Sequence, residues 1–383
     1  MKLFQRLLVA PAALGLLAPL ATNATEVNLD AISNYSGEQP ELDLNSFKSF
    51  SAEKSLLISG GEGLVDDYDS DSFSTTTTAS FSADFAIGAV DGGTATTDDA
   101  VMAGYGFQID LNTSFTGEDS FDVSLDAGSA SANGYAEFDL NDASTSLTVD
   151  GISYTFPVGD LTLLVGNGAD GSSLYNVACV YGTPSDTMDD CGAPSSVFVG
   201  GGTTLAASYE FGSGFSASAG YSGQGTTASG LMTKEGVDSY GFNAAYTADT
   251  YGVSVSFVKE EIANDLYDDV YTAVNAFWTP EGFPSISAGY EWGDDGSEAN
   301  HLDGKTSYFV GIQFDEVGPG SFGAAVGTKT ATTEGSDELL MYEAFYSYPL
   351  NDGMTITPLL YVKEFATGTD DETGVMVKTS FSF

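Results

Sequence analysis

The sequence predicts an all-β chain, and within that class a transmembrane antiparallel β-barrel of about sixteen strands. Three observations carry this. Apolar and small polar residues alternate at a period of two through most of the C-terminal half, the connections between these runs are short and long by turns, and nothing after the first two dozen residues is long and apolar enough for a membrane helix.

In chain order, Lys2 and Arg6 precede an apolar run from Leu7 to Leu20, with small residues up to Ala24. That is the pattern of a secretory signal peptide, with cleavage expected after Ala24. Residues 25–72 are expected to form a short periplasmic segment and linker, and residues 73–383 the barrel. An exported chain without a second apolar helix enters a membrane only as a closed barrel, which satisfies its backbone in hydrocarbon. Asp67, Asp69 and Asp71 have the spacing of the start of a calcium loop but lack its glycine and its closing glutamate, so a solvated linker is the expectation.

Lys and Arg number 10 against 55 Asp and Glu, a formal charge of −45. Nucleic acid is therefore repelled. No basic residue occurs from Ser55 through Thr233, yet the acids are scattered singly, which reads as a solvated acidic loop surface. Cys179 and Cys191 are the only cysteines, and in an exported chain they are expected to pair as one disulfide.

The strand pattern is clearest around Asp249: Tyr240, Phe242, Ala244 and Tyr246, then a turn, then Tyr251, Val253, Val255 and Phe257, with Ser239, Gly241, Asn243, Ser254 and Ser256 between them. It continues to Val375, Val377, Thr379, Phe381 and Phe383. Short links such as 212–214, 247–250 and 349–353 alternate with long acidic ones such as 222–237, 293–304 and 364–373, which places the short turns in the periplasm and the long loops outside. Trp278 and Tyr251 lie at short-turn ends of strands, Tyr290 and Trp292 toward a long-loop end, as two aromatic girdles at two interfaces require. Phe381 and Phe383 end the last strand on its apolar face and are expected to act as the assembly signal.

In the N-terminal half, strands are expected over 81–89, 101–115, 121–127, 135–140, 147–156 and 161–165. With eleven further on, these make seventeen, and since single-chain bacterial barrels have even counts, sixteen is the expectation, with the surplus near 134–151. Residues 166–203, holding both cysteines, form the longest stretch without a clear strand and are expected to fold into or over the lumen. The polar face of the strands is mostly Ser, Gly, Thr, Asn and Ala. Its expected charges are Glu210, Glu291, Glu343, Lys363 and Lys378, a roughly balanced set in a wide lumen under acidic loops. Weak cation preference follows, because no Arg remains after cleavage to build a basic constriction.

His301 is the only histidine and sits in a long loop; no nucleophile elbow, P-loop or dinucleotide fingerprint occurs in its required context. No enzyme, cofactor or metal site is expected.

The signal Met1-Lys-Leu-Phe-Gln-Arg-Leu-Leu-Val-Ala-Pro-Ala-Ala-Leu-Gly-Leu-Leu-Ala-Pro-Leu, the segment from Glu26 to Ser36, the stretch Asp71-Ser-Phe-Ser-Thr-Thr-Thr-Thr78 and Tyr154-Thr-Phe-Pro-Val-Gly-Asp160 resemble cyanobacterial outer-membrane porins of the carbohydrate-selective porin family, often labelled iron uptake porins. The resemblance covers nearly the whole chain. It implies a passive outer-membrane pore for small hydrophilic solutes such as sugars, inorganic ions and iron, and it supplies no catalytic residues. One departure stands out: residues 37–70 are too few for the surface-layer homology domain that relatives carry between signal and barrel. The expected partners are outer-membrane lipid, the barrel assembly machinery and the solutes themselves, with monomer and homotrimer both open. The competing readings are a structural barrel or adhesin without transport, and a soluble exported all-β domain.

Overall fold

The computed structural model describes residues 76–93, 100–129, 137, 140, 145–224, 230–233, 236–261, 268–295, 304–333 and 335–383. The segment 25–72, the signal region and His301 lie outside them. The described chain is almost entirely strand: β1 Thr77–Asp91, β2 Met102–Thr113, β3 Ser120–Gly128, β4 Thr148–Val158, β5 Leu161–Asp170, β6 Gly201–Gly212, β7 Phe215–Gly223, β8 Asp238–Thr247 and β9 Tyr251–Glu261. There follow β10 Asp268–Trp278, β11 Ser285–Asp295, β12 Lys305–Val317, β13 Gly320–Thr328, the two-residue β14 Thr332–Thr333, β15 Leu340–Asn351, β16 Met354–Lys363 and β17 Glu372–Ser382. A single helical turn, α1 Asp186–Asp189, interrupts the β5–β6 connection.

Consecutive long strands pair antiparallel, and β1 pairs with both β2 and β17, so the sheet closes. Because β14 only extends the β12 ladder while β13 pairs directly with β15, the closed wall has sixteen strands. Of the expected strand over Tyr135–Leu140 only Glu137 and Leu140 are among the described residues, and it is corrected as a wall strand because β3 pairs directly with β4. Its Leu140 instead packs buried against the inner face of β2, where a Cβ on Gly104 would meet the leucine at 3.2 Å. β4 carries a bulge at Asp150, between the pairs Ser124–Gly151 and Leu125–Val149. A second bulge at Gly168 lies beside it on β5; there φ is +80° and a Cβ would strike the Asp150 carbonyl at 2.3 Å, so only glycine fits.

Alternation decides which face is which. On β8 and β9 Phe242 is 57 % exposed and Val255 46 %, whereas Asn243 is 2 % and Ser254 1 % exposed. The wall is thus apolar outside and polar inside, the reverse of a soluble sandwich. Both described chain ends sit on the short-turn side, where Phe81 N–H donates to the Phe383 carbonyl at 2.9 Å and Phe383 N–H to Phe81 at 3.0 Å. Their rings stack at 5.7 Å, and Phe381 meets Phe85 edge-on at 6.0 Å.

Candidate functional site: the lumen and its inward loop

Residues 171–200, between β5 and β6, fold against the inner wall of the barrel. The outgoing leg crosses the strands in extended form, so alternate N–H groups face the wall. Asn176 donates to Asn243 Oδ1 on β8 at 3.0 Å, Ala178 to Ser254 Oγ on β9 at 2.9 Å, Val180 to Ser287 Oγ on β11 at 3.0 Å and Gly182 to Gln313 Oε1 on β12 at 2.8 Å. Ser218 Oγ on β7 starts this ladder by donating to the Leu174 carbonyl at 2.6 Å. The tip is then seized by Glu343 on β15. Its Oε1 accepts from the Tyr181 hydroxyl at 2.8 Å and from Thr183 Oγ1 at 2.6 Å, and its Oε2 from Ser185 Oγ.

The return leg is tied by a bond between the sulfurs of Cys179 and Cys191, whose Cα atoms are 6.5 Å apart. Asn275 Nδ2 donates to the Cys191 carbonyl at 3.0 Å, and the N–H groups of Ser195 and Ser196 reach Glu291 Oε2 at 3.0 and 2.6 Å. Ser172 and Val199 N–H close the base of the loop on Asp170. Close approach is made possible by glycine at two wall positions. A Cβ on Gly220 would lie 1.8 Å from the Gly171 carbonyl, and one on Gly289 1.9 Å from that of Cys191. Burial, followed by the charges of Asp186, Glu291 and Asp170, pushes the Asp190 carboxyl up to about 6. Burial, with Glu343 beside it, holds the Tyr181 phenol above the ordinary tyrosine range.

A second connection, between β3 and β4, reaches the same place through its described residues. Glu137 pairs with Lys363 on β16 and accepts from Thr187 Oγ1 of the first loop at 3.1 Å. Around this contact an apolar cluster fills the lumen side of β12 to β17 and β1: Leu140, Met188, Phe309, Met341, Leu359, Tyr361 and Met376 are buried there.

The five expected lumen charges divide. All face inward by register, but Glu291, Glu343 and Lys363 are covered by loops and hold them. Glu210 is exposed on the inner face near the short-turn end of β6, and Lys378 is half-buried opposite Ala86. The wide, nearly neutral lumen is corrected on two counts. Much of the Ser and Asn lining serves as the seat of the loop, and the inner face of β1 to β3 carries Asp84, Asp110, Asp122 and Asp126 with no basic residue on those strands. Gln108 and Ser124 donate to Asp110 at 2.8 and 2.7 Å, and Asn112 and Ser120 to Asp122 at 2.6 Å. The same alternation that places Ile109, Leu111, Val123 and Leu125 on the outer face was enough to find these acids. On the outer face, Tyr251 and Trp278 are register partners at the short-turn edge, and Tyr290 and Trp292 stack at 6.0 Å toward the long-loop edge.

A sixteen-strand barrel with an inverted polarity and a loop docked on its inner wall defines the porin-type architecture. No family model and no curated protein matches this sequence. Among solved structures, OprB of Pseudomonas putida superposes with a TM-score of 0.58 at 12% identity, covering 80% of this chain and 94% of that one. Two engineered variants of Rh. blastica porin give TM-scores of 0.54 and 0.53 at 16% and 14% identity, over 80% of this chain and 100% of theirs. The shared property is the barrel fold of bacterial porins.

Proposed function

We propose that this chain is an outer-membrane porin, a passive and weakly cation-selective channel for small hydrophilic solutes, exported by a cleaved signal peptide and inserted by the barrel assembly machinery. The observation that carries the reading is the pairing of an apolar, aromatic-edged outer wall with an inner wall on which a clamped loop narrows the lumen. Water alone gives no reason for so continuous an exposed apolar band, and lipid does. Sugars and inorganic ions fit such a lumen, and iron follows from the family resemblance; a homotrimer is the assembly proposed. The acids of β1 to β3 and of the outer loops concentrate cations at the passage within a Debye length, roughly 10 Å at 0.1 M salt.

Single-channel recording of the purified protein in planar bilayers, with zero-current potentials across a salt gradient, tests this. Discrete conductance steps with cation preference that fades as salt rises are expected. Anion preference at low salt would defeat the selectivity. The apolar filling beside β12 to β17 favours a second reading, a structural barrel that does not conduct, and heat-modifiable barrels without conductance steps would select it.

A further inference from the structure

The return leg of the inward loop is held by acceptors that are themselves acids. Glu291 on β11 takes the Ser195 and Ser196 N–H groups at 3.0 and 2.6 Å, and Asp170 takes those of Ser172 and Val199 at 2.8 and 3.0 Å. These donors are backbone groups without charge, and residues 171–200 contain no Lys, Arg or His. The same segment brings three more carboxylates, Asp186, Asp189 and Asp190, from the helical turn α1 and the residue that ends it. Asp186 and Asp189 are exposed, whereas Asp190 is half-buried. It borders a cavity of about 340 Å³ between the two legs, together with Ser172, Tyr175, Cys179 and Tyr181 of the outgoing leg and Asp189 of its own turn.

The charges acting on Asp190 are all negative: Asp186 of its own turn, Glu291 of the wall and Asp170 at the end of β5. The phenols of Tyr175 and Tyr181 beside it stay neutral, since burial, with Asp170 and Glu343 respectively nearby, holds both above the ordinary tyrosine range. Lys305 on β12 is engaged at the Tyr271 hydroxyl at 3.3 Å, and Lys363 on β16 with Glu137. An ionised Asp190 therefore sets a charge on the loop against the two carboxylates that hold the loop, and a protonated one does not. Burial and these neighbours raise the docked carboxyl from the ordinary 3.8 to about 6, so the docked leg binds the proton more tightly than a released leg does. Docking is thus strongest below pH 3.8, weakens as pH rises toward 6 and is weakest above it. Over that span of about two decades in proton concentration the docking equilibrium changes about a hundredfold.

We propose that Asp190 works as a proton-operated latch: with its proton the return leg seats against β10 and β11, and without it the leg is pushed off Glu291 and Asp170. The latch acts on the loop and stands whether or not the barrel conducts. Hydrogen exchange followed by mass spectrometry, on full-length protein in detergent at pH 4 and pH 7.5, tests it. At pH 7.5 residues 193–199 should open about a hundredfold more often in wild type than in Asp190→Asn, and at pH 4 the two should agree within about threefold. Comparison at each pH cancels the intrinsic pH dependence of exchange, and heat-modifiable migration confirms that the variant barrel has formed. Within wild type alone, opening of residues 193–199 relative to the outgoing leg at 176–182 should rise about fiftyfold from pH 4 to pH 7.5. The proposal falls if the ratio of wild type to Asp190→Asn is the same at both pH values, or if the wild-type return leg opens no more readily at pH 7.5 than at pH 4 relative to the outgoing leg. It falls equally if the outer-loop variant Glu338→Gln removes the response, which would assign it to the charge of the long loops.

Discussion

Replacing Glu343 by alanine should release the tip of the inward loop while leaving the barrel intact. The carboxylate takes three hydroxyl donors, from Tyr181, Thr183 and Ser185, and two of those residues are buried. Truncation leaves these donors without an acceptor at about 1–3 kcal/mol each. Because Thr183 regains water at once, the net penalty for the two remaining donors is about 2–6 kcal/mol. Each 1.4 kcal/mol is tenfold, so a loss of about 4 kcal/mol raises the open population of the tip roughly a thousandfold. The ladder from Asn176 to Gly182 and the Glu291 contacts remain, which confines the loosening to residues near 183–190. In bilayers Glu343→Ala should show a larger and noisier conductance, and limited proteolysis should cut near the tip, while heat-modifiable migration stays as in wild type. Glu343→Gln, which keeps one acceptor oxygen, should fall between. Wild-type conductance together with wild-type protease resistance in Glu343→Ala would refute the clamp.

Deleting Phe383 removes two backbone hydrogen bonds and a stacked ring from the closing seam of β1 and β17, so folded protein in the membrane should drop well below that of Phe345→Ala, whose side chain points into the lumen; equal levels would count against an assembly role. Gly289→Ala drives a methyl into the Cys191 carbonyl and should loosen the return leg, seen as faster backbone hydrogen exchange at Ser195 and Ser196, whereas Gly201→Ala meets open space and should be silent. In the β2–β3 turn, desolvation by burial works to raise the Asp119 carboxyl. Donation from the Tyr154 hydroxyl, from Thr116 N–H and Oγ1 and from Ser114 Oγ outweighs it and holds the group below the ordinary carboxylate value of 3.8. A depressed carboxylate stabilises the fold at every pH above that ordinary value and loses its contribution only as pH falls through the depressed one. The thermal-stability gap between wild type and Asp119→Ala should therefore persist from neutral pH to below 3.8 and close only in stronger acid; a gap that closes between pH 6 and 5 would show another group at work.

The strands of the C-terminal half, the side of each connection and the face of nearly every residue were legible from the chain alone, because a period of two is a local property that pleat geometry converts directly into inside and outside. The even strand count was legible as well, since closure admits no odd strand here. The surplus strand at Tyr135–Leu140 was not resolved by pattern, because a short apolar run reads alike whether it pairs in a wall or packs into a lumen. Only the direct β3–β4 ladder decided it. The inner-wall acids Asp84, Asp110, Asp122 and Asp126 were readable by the same alternation that assigned Glu210. The use of the other polar residues was not. Ser254, Ser287, Asn243 and Gln313 look like solvated lumen lining along the strands, and Glu291, Glu343 and Lys363 look like pore charges. Whether such a side chain meets water or a loop depends on a partner 67 to 226 residues away, as between Asn176 and Asn243 or Glu137 and Lys363. Local periodicity states the face a residue takes, and the closed tertiary structure alone states what covers that face.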